Sequence, residues 1–253
     1  MRNFLLLAWF ASATALAQNA LHVDEHSMLR LPVSSQVLVL ERLVVADHGT
    51  LLIPAGVTEL QIGELRLGRE ARISVAPGEQ ALRLHVRQGE IAEGARLVAR
   101  GAPGTAQRAA SAGRTLHLRL EEVVTETLVV DVRGGRGAPG YDGLAGADGR
   151  SGGCVLGQAS HGFDGRDGTD GLYGAPGGQV RLEVPHAFPI ERIDVRVEGG
   201  EGGAPGQAGD AGEGGASKGC WLYSTEGGRD GRAGTVGQPG RAGVPGAVDV
   251  IRF

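Results

Sequence analysis

Few residues in this chain have both the type and the spacing of a reactive site. "GASKG" (215–219) matches G-x-S-x-G and would make Ser217 a nucleophile, and "GRGAPG" (135–140) matches G-x-G-x-x-G. The first motif needs a strand before the serine and a helix after it; the second needs a helix to open at a phosphate. Glycine runs surround both, so neither chemistry is expected. The seven histidines (22, 26, 48, 85, 117, 161 and 186) are dispersed along the chain. Asp164, Asp167 and Asp170 recur every third residue. A calcium ladder needs further oxygen ligands, so these carboxylates are expected to face Arg229 and Arg232 on a matching run. No catalytic residue, metal site or cofactor is expected, and the chain reads as a non-enzyme.

The cysteines and aromatics carry more signal. Cys154 and Cys220 are the only two cysteines and lie 66 residues apart, as do the two "GAPG" stretches upstream of them (137–140 and 203–206). Each cysteine interrupts a run in which every third residue is glycine. Trp221 and Tyr223 follow Cys220, and His161 and Phe163 border the other interruption. These four are the candidate ligand-binding residues, since Trp and Tyr supply contact energy on a rigid support. The alternative reading is that the rings cover the disulfide and cap the end of a bundle.

Composition narrows the class. Residues 1–17 begin "MRNFLLLAWFASATALA", one arginine before an apolar stretch and an A-x-A ending, which reads as a secretory signal peptide. Export permits a disulfide, and two cysteines allow one pair. Glycine accounts for 45 of 253 residues, more than twice its usual share of about 7%. With 25 basic and 29 acidic residues, no footprint for nucleic acid or anionic membrane is present, and no membrane span is expected.

The elements that position these residues fall into two kinds. "VLVLERLVVADHGTLLIPAG" (37–56), "LQIGELRLGREARISVAPG" (60–78) and "LRLHVRQGEIAEGARLVARG" (82–101) alternate apolar and polar residues. Aligning Leu38, Leu60 and Leu82 gives a spacing of 22 residues. Such repeats, with three short strands and turn residues, predict a short β-solenoid of about 22-residue coils; an antiparallel β-sandwich is the alternative. Glycines at period three run through 134–152, 162–177, 200–215 and 228–246. That period matches polyproline II, with one all-glycine edge. The expected fold class is therefore all-β plus polyproline II, with glycine-rich hairpins inserted at one corner of the solenoid. The expected organisation is a signal peptide (1–17), a base (18–133), two hairpins (134–246) with a coil at 178–199 between them, and a closing strand (247–253).

Short, loop-linked Gly-X-Y runs of this kind resemble the polyproline II bundles of springtail antifreeze proteins and the glycine-rich tip adhesins of phage tail fibres. More broadly they resemble collagen-like secreted bacterial proteins. The resemblance covers residues 134–246 and implies a rigid bundle, cystine-pinned, whose distal loops bind a receptor. In that arrangement Cys154 and Cys220 meet at the distal tip and lock two hairpins together. The expected function is an exported surface or extracellular protein, structural or adhesive, acting through loops 153–161 and 216–227 on a cell-surface, glycan or matrix partner. It is expected to be a monomer, secreted or periplasmic. The runners-up are a collagen-like trimer and a carbohydrate-active β-helix enzyme. Ice binding is disfavoured by charged Arg and Asp in the X and Y positions.

Overall fold

The computed structural model describes residues 20–32, 35–154 and 157–253; the signal peptide expected at 1–17 lies outside them. Strands follow the alternating segments. They are β1 (Ala20–Val23), β2 (Met28–Arg30), β3 (Val37–Val45), β4 (Thr50–Ile53), β5 (Glu59–Leu67), β6 (Arg72–Val75), β7 (Leu82–Ile91) and β8 (Ala95–Val98). Then come β9 (Leu116–Thr125), β10 (Leu128–Asp131), β11 (Val180–Val184), β12 (Ile193–Arg196), β13 (Lys218–Gly219), β14 (Ser224–Thr225) and β15 (Val248–Arg252). The one helical element described is the 3-10 turn Ile190–Arg192.

The expected fold class is corrected. In place of a short β-solenoid carrying polyproline II hairpins, two all-parallel sheets form the body. Seven strands run in the order β1-β3-β5-β7-β9-β11-β15, and six in the order β12-β10-β8-β6-β4-β2. Each passage through the body but the last, which ends at β15, contributes one strand to each sheet, not three short strands. The spacing is not constant either. Leu38 pairs with Leu60, but Leu60 pairs with Leu84 rather than Leu82, and Leu82 pairs with Leu116. The corner "APGEQA" before β7 takes up two extra residues. A shift of two preserves the inward face, whereas a shift of one would reverse it, so burial tolerates this slip and alternation alone does not reveal it.

The two sheets enclose the core. Leu38, Leu60, Leu84, Leu118, Leu182 and Val250 form one row across the larger sheet. Leu51, Ile73, Leu97 and Val130 form its counterpart in the smaller sheet. All but the outermost of these side chains are buried, each contributing roughly 1.5–3 kcal/mol on leaving water. The turns from larger to smaller sheet repeat one conformation: His26, His48, Glu70 and Gly94 all have positive φ. That left-handed position is what reverses the chain in so few residues.

Arg114 is a fully buried cation beneath two successive corners. Its guanidinium donates to the carbonyl oxygens of Gln80 (2.8 Å), Val57 (2.5 Å), Ala55 (3.2 Å) and Ala76 (3.4 Å). Burial pushes its pKa down from the ordinary value, and the four carbonyl dipoles supply what water would otherwise give.

The long connections leave after short strands of the smaller sheet and return to the larger one: 132–179 joins β10 to β11, and 197–247 joins β12 to β15. These are the glycine-rich segments.

Candidate functional site: a disulfide-locked tip

Backbone hydrogen bonds repeat every three residues along the glycine-rich segments. Gly137, Gly143 and Gly149 of the first segment donate to Glu201, Gln207 and Glu213 of the third. Gly203, Gly209 and Gly215 of the third donate to Leu172, Arg166 and Ser160 of the second. Gly231, Gly237 and Gly243 of the fourth donate to Gly212, Gly206 and Gly200, while Gly165, Gly171 and Gly177 of the second donate to Arg232, Gln238 and Val244. The partner numbering makes the first and third segments parallel and the second and fourth antiparallel to them. The chain therefore runs out, back, out and back. A Cβ at Gly143 would fall on the Arg166 carbonyl, and one at Gly209 on the Leu144 carbonyl. Only glycine admits backbones this close.

The aspartates complete the weave, contrary to the arginine pairing expected for them. Asp164, Asp167 and Asp170 accept the backbone N–H of Arg232, Thr235 and Gln238 at 2.7, 2.7 and 2.6 Å. Asp142 and Asp148 do the same for Gln207 and Glu213. Other non-glycine N–H groups, such as those of Phe163, Arg166 and Thr169, donate to carbonyls of the first segment, whereas the N–H groups of Gln207, Glu213, Arg232, Thr235 and Gln238 meet a short carboxylate on the next segment. An exposed guanidinium is solvated and gains little from the same carboxylate. The Thr235 N–H and hydroxyl hold the Asp167 carboxyl below its ordinary range. Among the described residues, no group of three or more His, Cys, Asp or Glu is arranged to hold a metal.

His161 belongs to this row. Its Nδ1 accepts the Arg229 N–H at 2.7 Å, which requires an unprotonated Nδ1. Its role is that of the neighbouring aspartates, a brace between segments.

At the distal end Cys154 and Cys220 form a disulfide. β13 and β14 pair antiparallel, and the Cys220 N–H donates to the Tyr223 carbonyl at 2.7 Å. Trp221 and Leu222 are thus the central residues of a tight turn, 95% and 83% exposed. The Tyr223 hydroxyl donates to the Cys154 carbonyl, tying the two loops together beside the disulfide; its side chain is 51% exposed. Thr225 Oγ1 accepts the Lys218 N–H at 3.2 Å. A cleft of about 460 Å³ opens between the loops, lined by His161 and Tyr223 together with Gln158, Ser224 and Glu226.

Of the four candidate binding residues, the fold brings His161 and Tyr223 to one cleft. Trp221 stands apart at the apex of the turn, and Phe163, 66% exposed, lies on the second segment outside the cleft lining. Leu222, Gln158, Ser224 and Glu226 were not singled out from the sequence. Leu222 had a signal, lying between Trp221 and Tyr223; the other three are ordinary loop residues with none. Ser217 is followed by the two-residue strand β13 and not by a helix, so no nucleophile elbow forms.

No protein-family model, curated protein or solved structure matches the chain. Among the described residues, no helix is long and apolar enough to cross a membrane.

Proposed function

We propose that this is an exported, non-enzymatic surface or extracellular protein that recognises a cell-surface, glycan or matrix partner through its distal tip. The observation that carries this reading is the Trp221–Leu222 turn. Two large apolar side chains stand almost wholly in water, next to a disulfide and a tyrosine brace that hold their backbone in place. Isolated exposed apolar residues are ordinary, but a Trp–Leu pair at the end of a stiff arm fits a contact site. Fixing the turn in advance lowers the ordering cost of binding. Trp221, at 95% exposed, covers almost nothing, which argues against a purely capping role for it. The glycine edges facing other segments of the same chain favour a monomer over a collagen-like trimer.

The test is the variant Trp221→Ala/Leu222→Ala, compared with the parent for binding to cells, to a glycan array and to matrix proteins. Loss of binding with unchanged melting supports the adhesive tip. Equal binding by a folded variant, or no binding by the parent to any of these surfaces, leaves the structural role of a spacer. Export is tested separately: the mature N-terminus should begin at Gln18.

A further inference from the structure

The outer face of the smaller sheet carries a group of arginines far from the tip. Arg72 and Arg96 occupy directly paired positions on β6 and β8, where neighbouring strands are about 4.8 Å apart. Like charges placed opposite one another destabilise a sheet, yet among the described residues neither has a carboxylate within ion-pair distance. Two more arginines, Arg100 and Arg196, line a hollow of about 180 Å³ with them, together with Val98 and Val129.

Among the described residues, Asp131 is the one carboxylate lining this hollow, and it is already committed. It sits beside Val98 and Arg196 in the strand register, with its side chain only 5% exposed. Arg100 donates to Oδ2 from Nε (2.7 Å) and Nη2, and Arg133 donates to Oδ1 and Oδ2 at 3.1 and 3.0 Å. Asp194 pairs with Arg196 at 2.9 Å, and Glu198 lies close enough to act on Asp131. Five arginines therefore face three carboxylates, and the excess is concentrated at Arg72 and Arg96.

We infer that this hollow binds an oxyanion, the sulfate, phosphate or carboxylate group of an acidic ligand, between the guanidinium groups of Arg72, Arg96 and Arg196. Planar guanidinium forks suit such oxygens, and an anion placed there removes the repulsion between the two paired arginines. This site is independent of the tip and does not rest on its proposed role.

The test titrates the full chain with inorganic sulfate, inorganic phosphate and glucuronate, each against chloride at matched ionic strength, following thermal unfolding. One of the three is expected to raise the melting temperature above the chloride control by several degrees, and the tightest identifies the anionic group. In Arg72→Gln/Arg96→Gln the apparent affinity should weaken by about tenfold or more. General salting-in or salting-out acts on both proteins alike, so an equal response from parent and variant overturns the site. If the variant does not fold, side-chain NMR of the parent decides: shifts confined to arginines of the hollow support the site, and shifts spread over all arginines refute it.

Discussion

Single side chains in this protein do unusual amounts of backbone work. Arg114 satisfies four carbonyls under two corners, and a smaller replacement leaves the buried Val57 carbonyl and the part-buried Gln80, Ala55 and Ala76 carbonyls without that donor. Each unsatisfied group costs about 1–3 kcal/mol. Arg114→Ala should therefore lower unfolding stability by about 3 kcal/mol or more in denaturant titration, with Arg114→Lys recovering only part, since one ammonium cannot span the planar set. Asp167 makes an opposite kind of prediction, about pH. Its folded-state pKa lies below the ordinary 3.8 because the Thr235 backbone and hydroxyl favour the charged form. The stabilisation is thus complete above that ordinary value and is lost as pH falls through the folded-state one. Asp167→Asn keeps an acceptor oxygen without the charge, so its melting temperature should fall less steeply than the parent's between about pH 4 and pH 2.

At the scale of elements, the four glycine segments act as one body because every third residue presents bare backbone to a neighbour. Gly143→Val or Gly209→Val places a side chain on a carbonyl of the adjacent segment and must push two backbones apart. A loss of about 3 kcal/mol or more is expected. Arg241→Ala serves as the control: the Arg241 backbone carbonyl accepts from Gly174 whatever its side chain, so melting should be nearly unchanged. Equal effects from the glycine and arginine substitutions would show that the segments are not packed edge to edge. The weave also explains why the tip can be small. The loops inherit their positions from the segments, and two short strands, one disulfide and one tyrosine brace suffice to complete them.

At the scale of the molecule, two structural parts are held by different forces. The paired sheets rest on buried Leu, Ile and Val, whereas the glycine segments bury little apolar surface and depend on their hydrogen-bond weave and on the lock at its far end. The disulfide spans 66 residues of sequence, and closing a loop of that size contributes about 4 kcal/mol in the chain-entropy description. Reduction, or Cys154→Ser/Cys220→Ser, should accordingly raise amide exchange in the glycine segments while the central strands β5, β7 and β9 stay protected. Uniform loss of protection would show that the two parts unfold as one.

Much of this was legible in the residues themselves. Period-two alternation marks the strands and their inward side because burial on one face is a local property. Glycine at every third position marks four segments of matched length, and two cysteines at matching places mark the one disulfide. Other features depend on what lies across from each residue. The pairing of Leu60 with Leu84, the gathering of strands into two all-parallel sheets, and the partners of Asp164, Asp167 and Asp170 are set by distant segments. So are the exposure of the Trp221–Leu222 turn, the bracing roles of Tyr223 and His161, and the arginine hollow around Asp131. Composition supplies the donors and acceptors, but which of them meet is decided only when the sheets stack and the glycine segments close against one another, because hydrogen bonding and charge repulsion act over a few ångströms of space and not along the chain.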